Sequence, residues 1–368
     1  MQRTGYSFFW LWAASLAFVS SGLGQENAKQ LLSAAYAKTK DAQTVDDFHA
    51  IIDLCQQAQS LDLTPASSKY SKQLLSWALN RRGEAYVEQA AGALEGGDAD
   101  RAADLDKRAL ADFEAAIKED PTRWKAFHNR GVSKAVAGEY EQAVEDFSKV
   151  IELKPDYANA WFNRGEIRYE LAQHEQAIDD YSKAIELDPT DASAVTSRGH
   201  ARVQLKQLAA ALADYTRAIE LDRGNADALA NRGDAYLALQ NWSEAAADYR
   251  QAIALDENSG RAYRSAAWLM ATCPDHRFRN VEIGVQAAER AVQLLGAEDL
   301  EALDAMAAAY ANAERFAEAA ETVAKAIKLA AGKDVDVLTT RLELYSTDKP
   351  YRLPKTETAL IDAGTESR

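Results

Sequence analysis

Proline is scarce in this sequence, seven in 368 residues, and runs of alternating β-branched residues are absent. The first lack leaves little to interrupt helices, and the second argues against strands. Cysteine is nearly missing, with Cys55 and Cys273 the two present, so no disulfide framework holds the fold. A cationic surplus is also lacking. The net charge is −15, and such a chain repels phosphate backbones and anionic membranes, so nucleic acid is not an expected partner. Missing too are an HExxH run, a paired CxxC, an acid-spaced calcium loop, a glycine-rich phosphate loop and a nucleophile elbow. No cofactor, metal or catalytic residue is therefore expected, and the chain does not read as an enzyme. The five histidines, His49, His128, His174, His200 and His276, are scattered. The one pairing that invites chemistry is Cys273 with His276 in the run 272–276. A metal there needs further ligands, and a thiol catalyst needs a cleft and an orienting group.

What is present begins with an apolar run. Arg3 and the terminal amine precede Tyr6 to Val19, where Phe8, Phe9, Trp10, Leu11, Trp12, Leu16 and Phe18 stand with hardly a polar group. Small residues follow at Ser20, Ser21, Gly22 and Gly24. Cationic, apolar and small-residue regions in that order predict a secretory signal over 1–24, with an exported mature chain beginning near Gln25. The run is shorter than the roughly 20 residues that span a bilayer comfortably, so no stable membrane span is expected after cleavage. An uncleaved apolar anchor is the alternative.

Self-similarity dominates the remainder. Gly131, Gly165, Gly199 and Gly233 recur at one constant step, each preceded by arginine: Arg130, Arg164, Arg198 and Arg232. The second halves repeat in phase at Ala143, Ala177, Ala211 and Ala245, and at Phe147, Tyr181, Tyr215 and Tyr249. Each unit holds two amphipathic stretches with apolar residues three or four apart. Glycine and alanine fall where the two helices must approach closely, and the ring is expected to fill space against the next unit. Pro155 and Pro189 close two units, ending one helix at the first turn of the next. A single unit cannot bury its apolar face, so units must stack.

These small and aromatic residues, in a helix-turn-helix of about 34 residues, resemble the tetratricopeptide repeat. The resemblance covers roughly residues 27–346. Val195 and Leu229 depart from it by standing at the position of Trp161, and Arg223 and Glu257 replace the closing proline. It implies an all-α, right-handed α-solenoid, a superhelix of stacked antiparallel helix pairs. The expected organisation is a degenerate region 25–120 with a long hairpin near 69–95 and 98–118, and four regular units over 121–256. Two further units follow over 257–331, the first with an inserted loop, then a capping helix in 332–350 and a disordered tail over 351–368. Cys55 and Cys273 fall several units apart. Stacked helices advance about 8–10 Å each, and a disulfide needs Cα atoms within about 7 Å, so both are expected to be free thiols.

The resemblance also implies a function, that of a non-enzymatic scaffold gripping a protein or peptide segment in the concave groove lined by first helices. Carried over by position, the groove comprises Lys125, His128, Asn129, Asn159, Phe162, Asn163, Glu166, Tyr169, Glu170, Ser193, Ser197, His200, Gln204, Asp227, Asn231 and Asp234. Its asparagines suit the backbone of an extended peptide. A clamp for a C-terminal carboxylate, used by one subset of the family, is not expected. Lys125 is the groove's cation, and Glu166, Glu170, Asp227 and Asp234 repel such a group. The other readings are a structural part of a cell-envelope assembly and, third, a metal-binding or thiol enzyme at 272–276.

One charge pattern recurs in register. Arg82, Arg130, Arg164, Arg198 and Arg232 lie in first helices, and Asp112, Asp146, Asp180, Asp214 and Asp248 just before the second-helix ring. We expect a ladder of ion pairs directed forward: Asp112 with Arg130, Asp146 with Arg164, Asp180 with Arg198 and Asp214 with Arg232. Pairing within one unit is the alternative.

Overall fold

A computed structural model describes residues 23–354. Among these residues there are seventeen α-helices, one short 3-10 turn and no strand. The expected signal lies, up to residue 22, outside the described residues. No described helix is long and apolar enough to cross a membrane.

The chain divides into two compact units between Ile167 and Arg168. The first holds α1 (Leu23–Lys38), α2 (Val45–Gln59), α3 (Pro65–Glu95), α4 (Ala99–Glu119), α5 (Trp124–Val136), α6 (Tyr140–Leu153) and most of α7 (Ala158–Glu170). The core of its first helices gathers Phe48, Ile51, Cys55, Leu75 and Ala78, which lie three or four residues apart on α2 and α3. At 31 residues α3 is more than twice the 13 of α5. Its outer half zips onto α4 through Ala90, Ala93, Ala102 and Leu105. Gly97, with φ of +79°, makes the reversal between them, a left-handed conformation that glycine adopts without a Cβ clash.

The second unit carries α8 (His174–Leu187), α9 (Ala192–Gln204), α10 (Leu208–Leu221), α11 (Ala226–Ala238), α12 (Trp242–Leu255) and α13 (Gly260–Thr272). It ends with α14 (Val281–Leu295), α15 (Leu300–Asn312), α16 (Phe316–Leu329) and α17 (Lys333–Ser346). Each repeat buries its ring. Tyr215 packs with Ala211 and with Ala235 of the following repeat, and Tyr249 with Ala266, Leu269 and Cys273. The ring also lies on the glycine of its own repeat, where a Cβ on Gly199 would stand 2.7 Å from Tyr215 Cε1. That contact accounts for the recurring glycine.

Two turn chemistries set the repeat. After the first helix the chain enters the left-handed region at Gly138 in one unit and at Ala172, Lys206 and Gln240 in the other. The next amide donates five residues back, as Gln207 N does to Arg202 O at 2.9 Å, which closes the helix with its orphan carbonyls satisfied. After the second helix an aspartate holds the turn whether or not proline follows it, as Asp188 Oδ1 accepts from Thr190 N at 3.0 Å beside Pro189. Asp222 Oδ1 accepts from Gly224 N at 3.0 Å, and Asp256 Oδ1 from Asn258 N at 2.9 Å. The linkers without proline thus keep a hydrogen-bonded turn.

The tail does not become disordered at 351 as expected. Residues 351–354 have no regular secondary structure but are packed: Leu353 N donates to Thr272 O at 2.9 Å. The rest of the expected tail, 355–368, lies outside the described residues.

Candidate functional site

The first helices fall into rows set by the repeat step. One repeat position is exposed in each unit: Lys125 and Asn159 in the first and, taken separately, Ser193 and Asp227 in the second. Glu170 and Gln204, at the ends of α7 and α9, are also exposed, and Gln204 Nε2 donates to Tyr169 Oη at 3.3 Å.

Other expected groove residues are turned inward or engaged. Asn129 Nδ2 donates to Asn80 Oδ1 at 3.1 Å and to Glu84 Oε1 at 3.0 Å, bracing α5 against α3. Asn231 is 3% exposed and cannot offer its amide to a partner, so its expected place in the groove is corrected. Asp234 accepts from Tyr249 Oη at 2.9 Å and pairs with Arg261 at 3.0 Å. His128 is half-buried with ring centroids of Phe147 and Tyr157 at 5.7 and 5.3 Å. Burial depresses its basicity, only partly offset by Glu84. His200 lies against Tyr215 at 5.7 Å. Phe162, Asn163, Glu166, Tyr169 and Ser197 are half-buried. The groove expected from position is therefore thinner than its full set of residues.

The ion-pair ladder runs the other way from expectation. Arg82 grips Asp112, Arg130 grips Asp146, Arg198 grips Asp214 and Arg232 grips Asp248, each by Nε and Nη2 at 2.6–3.1 Å. Each pair joins the two helices of one repeat, so the forward assignment is corrected. The physical reason is the fork. A guanidinium leaving the first helix beside its glycine meets, edge-on, the carboxylate that precedes the packed ring, and binds it bidentately. These hydrogen bonds raise Arg82, Arg130 and Arg232 above the usual guanidinium value against the opposing effect of burial.

The forward direction is served instead by a hydroxyl. Arg198 Nη1 donates back to Ser182 Oγ at 3.1 Å, Arg232 Nη1 to Thr216 Oγ1 at 3.3 Å and, in the first unit, Arg164 Nη1 to Ser148 Oγ at 2.9 Å. One arginine thus ties its own repeat to the one before. A second cation, one helical turn further along, joins several carboxylates: Lys134 on Asp146 at 3.2 Å, Arg168 on Asp180 at 2.7 Å and Arg202 on Asp214 at 2.6 Å. Sequence reading missed these hydroxyls and second cations, although Ser148, Ser182 and Thr216 repeat with the same period.

The run 272–276 does not form a centre. Cys273 is buried against Tyr249 and Leu269, whereas His276 stands in solvent, its side chain 83% exposed. Burial raises the Cys273 thiol and pushes that of Cys55 up to about 12. Both cysteines are free. Among the described residues no three His, Cys, Asp or Glu side chains converge as metal ligands.

Comparison with known proteins places the repeat. A family model described as Tetratricopeptide repeat matches residues 158–191 and 226–259, and a second, described as TPR repeat, matches 137–172 and 199–240. No curated protein sequence matches the chain. Among solved structures, a tetratricopeptide repeat protein from Parabacteroides merdae is 17% identical, covers 72% of this chain and 98% of its own length, and gives a TM-score of 0.50. The structure of YrrB, described as a TPR protein with an unusual peptide-binding site, is 24% identical over 48% of this chain and 88% of that one, at a TM-score of 0.41. Pseudomonas aeruginosa pilF is 18% identical over 60% and 94%, at 0.48. The chain is a helical repeat solenoid that contains tetratricopeptide repeats.

Proposed function

We propose that this protein is a non-enzymatic interaction scaffold that takes an extended protein segment across the first helices of its repeats, outside the cytoplasm. The repeat fold supports the scaffold. The observation that carries the peptide reading is the repeat position of Lys125 and Asn159 in the first unit and of Ser193 and Asp227 in the second, which keeps a hydrogen-bonding side chain exposed in each of the four regular repeats. Their neighbours Asn129 and Asp234 are engaged within the fold. Polar groups at a fixed step suit the backbone of an extended chain. Export is supported by the apolar run 6–19 behind Arg3.

The test is capture of a binding protein from the exported fraction by the full chain and two variants. Glu170→Lys with Asp227→Lys reverses charge on first helices, and Glu186→Lys does so on a second helix. Loss of capture in the first variant alone is the expected result. Equal loss in both, or in neither, contradicts binding across the first helices. Intact mass of the exported chain is expected to begin near Gln25. Recovery of Met1 in a membrane fraction contradicts cleavage.

A further inference from the structure

The four residues Tyr351–Pro354 make contacts within the second unit that the repeat does not explain. They leave α17 through Asp348, whose φ of +56° reverses the chain, and then cross the ends of three helices. The Tyr351 ring lies 5.7 Å from that of Trp268, tilted by 35°. The Arg341 guanidinium sits 4.7 Å from the Trp268 centroid and 4.8 Å from that of Tyr351, and is itself held by Asp304. A cation over two rings adds attraction to their stacking. Arg352 donates to Ala271 O at 2.7 Å and to Asn312 Oδ1 at 2.9 Å. Leu353 N donates to Thr272 O, and Gln240 Nε2 donates to Pro354 O at 3.3 Å.

Position in the repeat gives these contacts their meaning. Trp268 and Arg341 are each the ninth residue of their helix, as the expected groove residue Asp234 is of α11. Thr272 and Asn312 end α13 and α15 as the exposed Gln204 ends α9. The segment therefore lies on the face where a partner is expected, and it is bound as a foreign peptide would be. An aromatic clamp takes one side chain, backbone groups are matched at two residues, and the last two carbonyls of α13 accept from the Arg352 cation at Ala271 and from the Leu353 amide at Thr272. Those carbonyls lack intrahelical donors and form the negative end of the helix. Tyr351, Arg352 and Leu353 stay half-buried, with the Tyr351 ring also packed against the core that Leu338 and Tyr345 help to form.

We propose that this face is a peptide-binding site for an extended segment in which an aromatic residue is followed directly by arginine, with Tyr351–Pro354 as its resident occupant. The proposal rests on the reading that first helices bind partners, and it names the ligand chemistry and its control. A partner segment of that pattern must displace the tail. Tethering gives the tail an effective concentration on the order of millimolar, so a weak internal ligand keeps the site filled until a tighter one arrives.

The test uses the full chain and a fluorescein-labelled peptide with the sequence of residues 348–357. Tyr351→Ala with Arg352→Ala detaches the tail. Anisotropy titration is expected to show the detached variant binding the peptide at least about tenfold more tightly than the unaltered chain, and Trp268→Ala added to that variant is expected to remove the gain. A detached variant of unchanged helicity that binds no better than the unaltered chain overturns the proposal, as does binding indifferent to Trp268→Ala. Should the detached variant misfold, hydrogen exchange on the unaltered chain decides. Excess unlabelled peptide must speed exchange at the Leu353 amide, and no change at millimolar peptide overturns displacement. Failure here with capture still lost in the Glu170 and Asp227 variant leaves the general scaffold reading intact. The opposite result leaves this site standing alone.

Discussion

Arg198 closes on Asp214 of its own repeat, Nε to Oδ2 at 3.1 Å and Nη2 to Oδ1 at 2.7 Å, while its remaining nitrogen reaches Ser182 of the repeat before. Asp214 also holds Arg202 and is 3% exposed. Asp214→Ala leaves two cations facing an emptied site. Removing one partner of a buried pair costs about 3–5 kcal/mol, and with both arginines about one-fifth exposed we expect the lower end of that range. Urea denaturation checks the size. A double-mutant cycle is expected to couple Asp214 with Arg198 and to show little coupling of Asp214 with Arg232. The reverse pattern contradicts the pairing within one repeat.

The turns after the first helices predict a gain. Lys206 has φ of +59°, where Gly138 stands in an equivalent turn. A residue with a Cβ in this region carries roughly 1–2 kcal/mol of strain, offset in part by the added freedom glycine gives the unfolded chain. Lys206→Gly should stabilise by up to about 1 kcal/mol, seen as a rise in melting temperature. A fall of similar size would mean that the Lys206 side chain makes contacts worth more than the strain.

The helix contact at Gly199 predicts a loss. A Cβ there meets Tyr215 Cε1 at 2.7 Å and Cδ1 at 3.0 Å, and the ring is fully packed. Gly199→Ala is expected to cost about 1–3 kcal/mol by overpacking, and Gly199→Ala with Tyr215→Leu to recover part of it. An alanine variant as stable as the unaltered chain would show that Tyr215 can shift freely.

Cys55 predicts a pH dependence. Burial lifts its thiol from 9.0 to about 12, so the folded state favours the neutral form. Its contribution is fully present below about pH 9 and is lost as pH rises toward 12, because the unfolded chain then releases the proton more readily. Stability of the unaltered chain should fall more steeply over that window than stability of Cys55→Ala, whatever constant offset the missing sulfur adds. Parallel curves would contradict the burial effect. In the same state neither Cys55 nor Cys273 should react with a thiol reagent until denaturant is added, since a buried neutral thiol is a poor nucleophile.

The half-buried clamp predicts a local effect. Trp268→Ala in the unaltered chain removes the surface on which Tyr351 and Arg341 lie. Amide exchange at Leu353 should quicken while α9 to α12 keep their protection. Quickened exchange across the whole second unit would instead make Trp268 a core residue.

By itself the sequence determined the repeat. A constant step, amphipathic stretches on both halves, glycine opposite a ring and a recurring Arg and Asp permit helix pairs that bury one another's apolar faces, and α5 to α12 are those pairs. It did not determine how the charges join. Arg198 precedes Asp214 in its own repeat and follows Asp180 of the one before, and both offsets recur with the same period, so periodicity cannot choose between them. Only the tertiary structure does, by turning the guanidinium edge toward the carboxylate of its own repeat and one nitrogen toward Ser182. The row of expected groove residues shows the same limit, since Asn231 occupies the step of Asn163 yet is buried. The tail is the extreme case. Tyr351–Pro354 has no periodicity and reads as polar coil, because what holds it lies 81 residues away at Ala271 and 40 at Asn312. Helix-end carbonyls and an aromatic clamp are created by folding, and no local pattern announces which distant residues will meet them.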